Sequence, residues 1–201
     1  MNNVKRAILI AILALVLVTG CKTKTDEGKV DSASEPKATE QQDMATKEQN
    51  IFPKFKAKDF DGNEVDETIF SKNKINIVNF WFTGCKPCVE EMPDIQALKE
   101  KHKDDGVNVI GVCADAADEK YLETAKEIMK KANADFTQLA IKDEKDNDEM
   151  IKFMQQIMAF PTTYVVDDQG NILAGPILGA INEGKNKEQI DSIINDHLNN
   201  K

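Results

Sequence analysis

Phe80-Trp81-Phe82-Thr83-Gly84-Cys85-Lys86-Pro87-Cys88-Val89-Glu90-Glu91-Met92-Pro93 sets two cysteines with two residues between them, directly after an apolar β-type run and at the start of a helical pattern. The thiolate, not the thiol, is the nucleophile in disulfide exchange, and a helix N-terminus offers unpaired N–H groups and a partial positive charge that favour the thiolate. The second cysteine, one helical turn later, stands close enough to attack a mixed disulfide formed by the first. Residue type and spacing together point to a dithiol that cycles with a disulfide.

Outward from this stretch the pattern alternates between strand and helix. Ile75 to Phe82 and Val107 to Ala114 are near-continuous apolar runs rich in β-branched residues, as strands buried on both faces require. Between them Val89, Met92, Ile95 and Leu98 recur at helical spacing, with Pro93 expected to bend the helix. Tyr121, Leu122, Ala125, Ile128, Met129 and Ala132 mark a second helix, Phe136 to Ile141 a short strand, and Met150, Ile151, Met154, Ile157 and Met158 a third helix before Phe160-Pro161. Thr162 to Asp167 reads as a strand, Asp168-Gln169-Gly170-Asn171 as a turn and Ile172 to Ala174 as the returning strand. A last helix from about Lys187 carries Ile190, Ile193, Ile194 and Leu198 on one face. Upstream, Phe55 to Phe60, the Asp61-Gly62-Asn63 turn and Glu64 to Phe70 predict a short hairpin, or a strand and a turn of helix. Parallel strands first and an antiparallel hairpin last make an α/β domain over residues 51–201, with a central mixed sheet flanked by helices and an N-terminal β-hairpin extension.

The ends of the chain carry a different message. Lys5 and Arg6 precede twelve uninterrupted apolar residues, Ala7 to Val18, which suits the core of an export signal and is short for a membrane span. Val18-Thr19-Gly20-Cys21 then resembles a bacterial lipobox, which implies a lipoprotein signal peptide over residues 1–20 and lipidation of the Cys21 sulfur. Residues 22–50 are polar, without an aromatic side chain, and bury too little apolar surface to offset their ordering entropy, so residues 21–50 are expected to be a lipidated cysteine and a disordered tether. The expected location is extracytoplasmic, lipid-anchored to the bacterial cell membrane.

Loss of Lys5 and Arg6 takes the formal charge from −9 to −11, and a chain this acidic does not seek nucleic acid or anionic lipid heads. Arg6 is the single arginine, so the mature chain has no guanidinium. With Cys21 assigned to lipid, Cys85, Cys88 and Cys113 remain, which suits a working pair better than a disulfide framework.

Asn79-Phe80-Trp81 through Cys85-Lys86-Pro87-Cys88, then Glu91-Met92-Pro93, and about seventy residues later Phe160-Pro161-Thr162-Thr163-Tyr164-Val165-Val166-Asp167 with Gly170, resemble the thioredoxin superfamily and within it the TlpA/ResA-like thiol-disulfide oxidoreductases. The resemblance covers about Phe52 to Leu198 and implies a thioredoxin-like fold. It implies that Cys85 attacks the substrate disulfide and Cys88 resolves it. It also makes Pro161 the cis proline facing the cysteines, with the Phe160 backbone exposed to pair with substrate and Trp81 and Lys86 as further substrate contacts. Glu91, three residues after Cys88, shares its helix face, whereas Glu90 points elsewhere. Members of this group carry an acid there that assists proton movement, and Asn79 stands where cytoplasmic thioredoxins place a buried aspartate, so the acid role moves from strand to helix. Two departures stand out: Gly84 replaces the usual tryptophan before the first cysteine, and Cys113 is extra and expected to act as a small buried hydrophobe.

The resemblance therefore implies an enzyme, a membrane-anchored disulfide reductase that takes electrons from a membrane thiol transporter and passes them to oxidised protein substrates. It is expected to be monomeric, to need no cofactor, since the two thiols carry the electrons, and to hold no metal. Two other readings compete. A thiol peroxidase of the same broad fold needs a Pro, a Thr and a Cys around an arginine, but Thr83 lies only two residues before Cys85 and no arginine is at hand. A copper-binding lipoprotein of this fold needs a histidine in a loop near the thiolates, and His102 and His197 lie in helical patterns instead.

Overall fold

A computed structural model of the chain describes residues 50–199. The signal segment, Cys21 and the tether as far as residue 49 lie outside the described residues. The elements in chain order are β1 (Lys56–Asp59), β2 (Glu64–Asp66), a 3₁₀ turn (Glu67–Lys72), β3 (Ile75–Trp81), α1 (Lys86–Lys101), β4 (Val107–Cys113), α2 (Glu119–Lys131), β5 (Thr137–Ala140), a second 3₁₀ turn (Lys145–Asn147), α3 (Asp148–Gln155), β6 (Thr162–Asp167), β7 (Ile172–Leu178) and α4 (Asn186–Asn199). They form one seven-stranded sheet in the order β2-β1-β5-β4-β3-β6-β7. β3, β4 and β5 run parallel, while β6, β7 and the β1–β2 hairpin are antiparallel to their neighbours. This is the mixed α/β sheet with an N-terminal hairpin that the sequence pattern predicts.

All seven residues of β3 are buried, which explains its near-continuous apolar run. Strand side chains alternate between faces. Ile75, Ile77 and Trp81 share one core with Met92, Ile95 and Leu98 of α1, Ala125 and Met129 of α2, and Ile190 and Ile194 of α4. Val78 and Phe80 join Phe52, Phe55, Phe70, Met150 and Tyr164 in the core on the other face. Asn79, by the same alternation, falls on the α1 face.

Both hairpins turn by one device. Asp59 accepts from the backbone N–H groups of Asp61 and Asn63 at 3.0 and 2.8 Å and from Asn63 Nδ2 at 2.8 Å. Asp167 does the same with Gln169, Asn171 and Asn171 Nδ2 at 2.8, 2.8 and 2.9 Å. Each turn has its glycine at positive φ, Gly62 at 90° and Gly170 at 82°, where a Cβ is disfavoured.

Two details differ from the sequence expectation. α3 stops at Gln155, so Ile157 and Met158 belong to the loop before Phe160. β7 continues past Ala174 through Gly175 and Pro176 to Leu178, which an edge strand tolerates because its outward N–H groups need no partner. Pro93 lies inside the single helix α1 that the spacing predicts.

Asn147 continues the pairing of β1 beyond the point where β5 ends at Ala140. Its Oδ1 accepts from Lys56 N at 2.7 Å, and its Nδ2 donates to the carbonyls of Lys56 and Lys142 at 2.9 Å each. Asn147→Ala strips three part-buried backbone groups of their partner and is expected to lower stability by about 1 kcal/mol, read as the shift of a urea midpoint at constant slope. A loss under about 0.5 kcal/mol would show that water replaces the side chain at no cost.

Candidate active site

The cysteines sit where β3 ends and α1 begins, outside the carboxyl ends of the parallel strands. Cys85 is the N-cap of α1 in extended conformation, and its Sγ accepts from the Cys88 N–H at 3.3 Å. Pro87 lies in the first helical turn, where an absent N–H leaves nothing unsatisfied. Cys85 and Cys88 form a disulfide with S–S 2.00 Å. Cys85 retains 5% exposure and Cys88 none, so Cys85 is the sulfur nearer to solvent.

The loop before the cysteines is clamped by Asp115, just beyond β4. Its carboxylate accepts from Thr83 N at 3.1 and 3.2 Å and from Thr83 Oγ1 at 2.5 Å. The Cys113 thiol donates to the same carboxylate at 3.2 Å. Burial first, and then Asp115, push the Cys113 thiol far above its ordinary range, so it stays protonated and unreactive. The Thr83 hydroxyl is committed to Asp115, and nothing in the sequence of either loop announced that clamp.

Glu91 is wholly buried one turn beyond Cys88. Its Oε1 accepts from Asn79 Nδ2 at 3.0 Å and its Oε2 from the Ile181 N–H at 2.6 Å. Burial pushes its carboxyl up to about 7, against the opposing pull of the Ile181 and Asn79 hydrogen bonds, and the negative charges of Asp94 and Glu183 add to the rise. Asp94 also accepts from Asn182 Nδ2 at 2.7 Å, so successive turns of α1 hold the β7–α4 loop over Glu91. Glu90, in contrast, is exposed and pairs at 2.6 Å with Lys86, itself 82% exposed, a contact of little energetic weight.

The Phe160–Pro161 peptide bond is cis. The β3–β6 register pairs Phe80 with Thr162, so the residues before Thr162 lie alongside the loop that leads to Cys85. The half-buried rings of Phe160 and Phe82 meet edge to face there at 5.3 Å. Thr162 Oγ1 donates to the Ala159 carbonyl at 2.7 Å and closes the turn before the proline.

Trp81 requires a correction. It has no exposure and its Nε1 donates to Gln138 Oε1 at 2.8 Å, so it cannot touch a substrate. The Gln138 amide lies across Gly111, where a Cβ would come within 2.2 Å of it, and this fixes the indole in the core. The available signal was the apolar run itself: Trp81 lies inside a strand that reads as buried on both faces. Asn79, itself joined to Thr163 at 3.1 Å, and the Ile181 N–H are the partners of Glu91 that spacing along the chain did not reveal.

His102 has both ring nitrogens on carboxylates, Nδ1 on Asp105 at 2.9 Å and Nε2 on Asp191 at 3.0 Å, and so ties the end of α1 to α4. Among the described residues no group of three or more His, Cys, Asp or Glu side chains is placed to hold a metal ion.

Residues 49–174 match the AhpC/TSA family. The thiol-disulfide oxidoreductase ResA of Bacillus thuringiensis subsp. konkukian is 30% identical over 142 residues, covering 71% of this chain and 73% of that protein. The thiol:disulfide interchange protein HelX of Rhodobacter capsulatus is 30% identical over 122 residues, covering 60% of this chain and 61% of that protein. A crystal structure of a thioredoxin-family thiol:disulfide interchange protein from Chlorobium tepidum superposes with a TM-score of 0.57 at 25% identity, over 74% of this chain and 96% of that one.

Proposed function

The chain belongs to the AhpC/TSA family as a TlpA/ResA-like thiol-disulfide oxidoreductase, and we propose that it works as a disulfide reductase held at the outer face of the cell membrane. The observation that carries this reading is Glu91, a buried carboxyl one helical turn beyond Cys88 whose proton affinity lies near neutrality. A resolving thiol must lose a proton before it can attack, and Glu91 is placed to take it.

The cycle balances as follows. The Cys85 thiolate attacks one sulfur of the substrate disulfide, forming a mixed disulfide and expelling a substrate thiolate. Cys88 gives its proton to the Glu91 carboxylate and attacks Cys85 Sγ, which releases the second substrate thiolate and closes the Cys85–Cys88 disulfide. The substrate thiolates take up protons, so one dithiol and one disulfide exchange two electrons. Lys86, exposed beside Cys85, and the Phe160 backbone flank the path of a docking protein substrate. A membrane thiol transporter then returns two electrons to the protein, which acts as a monomer. Catalytic insulin reduction driven by a dithiol tests this, with loss of all activity in Cys85→Ser as the expected control.

The membrane anchor is the lipidated Cys21 and the polar segment after it. Labelled fatty acid is expected on the wild-type chain and absent from Cys21→Ala, while a chain beginning at Asn50 stays folded and active. Asn50 is the right place to cut: its carbonyl accepts from Ile172 N at 2.6 Å, and Phe52, two residues on, packs against Phe70 at 5.2 Å. Loss of insulin reduction in this shortened chain would assign the anchor segment a structural role and contradict the separation.

A further inference from the structure

The amide of Asn79 is buried at 1% exposure on the face of β3 that meets α1. Its Nδ2 donates both to Glu91 Oε1 at 3.0 Å and to Thr163 Oγ1 at 3.1 Å. Its Oδ1, equally buried, accepts nothing among the described residues. A buried acceptor without a donor costs free energy, so an arrangement that uses both donors and neglects the acceptor needs a reason.

The ionic state of Glu91 supplies it. A carboxylate only accepts, so the amide must present its N–H groups. A protonated carboxyl also carries an O–H, and that proton on Oε1 would face Nδ2 donor to donor. A half-turn about Cβ–Cγ exchanges the amide oxygen and nitrogen within the same volume and brings Oδ1 onto both Glu91 and Thr163, whose hydroxyl can rotate from accepting to donating, while the unpaired place passes from Oδ1 to Nδ2. An aspartate could not serve the ionised carboxylate in this way, and a leucine could serve neither state. Thr163 is the direct cross-strand partner of Asn79 and lies two residues after Pro161. The other groups acting on Glu91 are Asp94 on its own helix and Glu183 and the Ile181 N–H from the β7–α4 loop, and Cys88 precedes it by three residues on the same helix.

We propose that Asn79 is a positioning residue whose side-chain amide turns over as Glu91 gains and loses its proton, so that the strand following Pro161 registers the proton state of the carboxyl beside the cysteines. This rests on Glu91 being the proton acceptor of the cycle.

The test is an NMR titration of the ¹⁵N- and ¹³C-labelled domain from pH 5 to pH 9. The Asn79 Nδ2 signal and the Glu91 carboxyl carbon are expected to follow one curve. Cross-peaks from the Asn79 amide protons to the Thr163 side chain are expected above the midpoint and lost below it, and Glu91→Gln should abolish the change. Asn79→Leu, which keeps the branched shape and removes the hydrogen bonds, should raise the Glu91 midpoint by about one pH unit or more. If Glu91 titrates while the Asn79 cross-peaks persist unchanged, the turnover is overturned and the proton-acceptor reading stands. If Glu91 does not titrate in this range, both fall. Should Asn79→Leu fail to fold, the wild-type titration decides alone.

Discussion

Cys88→Ser is expected to abolish catalytic insulin reduction and to leave Cys85 joined to its substrates as stable mixed disulfides. The attacking sulfur survives at the N-cap of α1, with its residual 5% exposure, while the serine hydroxyl cannot resolve the bond it forms. Non-reducing gels of the variant should show adducts that a reductant dissolves, and mass spectrometry of the adducts would name the partner proteins. Cys85→Ser should show none, because Cys88 is wholly enclosed. Adducts on Cys85→Ser and not on Cys88→Ser would reverse the two roles.

Glu91→Gln is expected to slow exchange about a hundredfold near neutral pH, the usual worth of one positioned proton acceptor, and to flatten the pH profile around pH 7. Glu90→Gln, altering an exposed pair, should leave the rate and profile unchanged. Stability gives an independent reading. The folded carboxyl titrates at about 7 against an ordinary 4.5, so its contribution is fully present below pH 4.5 and is lost as the pH rises through 7. Oxidised wild-type protein should therefore lose about 3 kcal/mol of stability between pH 5 and pH 9 that Glu91→Gln does not lose. Equal pH dependence in the two proteins would mean that the carboxyl is ionised throughout and that solvent reaches it.

The strands and the reactive pair were legible because their signals are local. A β-branched run before a helical pattern places the cysteines at a helix start whatever the rest of the chain does. The edge strand β7 runs past Ala174 because Gly175-Pro176, which would break a central strand, is harmless at the sheet edge. Trp81 was misassigned because a motif names neighbours and not exposure, and β3 is covered on both faces. Glu91 could be put on the face of Cys88 by counting three residues, but what makes it special is far away: Asn79 lies 12 residues before it and Ile181 lies 90 after. Asp115, 32 residues beyond the threonine it clamps, was silent for the same reason. Charge and burial are properties of the folded neighbourhood, so no spacing rule could deliver them.

The reductase reading is tested most directly by the standard potential of the Cys85–Cys88 couple, measured by equilibration in glutathione or dithiothreitol buffers at pH 7. A reductant outside the cytoplasm should lie near thioredoxin, at about −270 mV. A potential near that of the strong oxidant DsbA, at about −120 mV, would contradict it and make the protein a donor of disulfides.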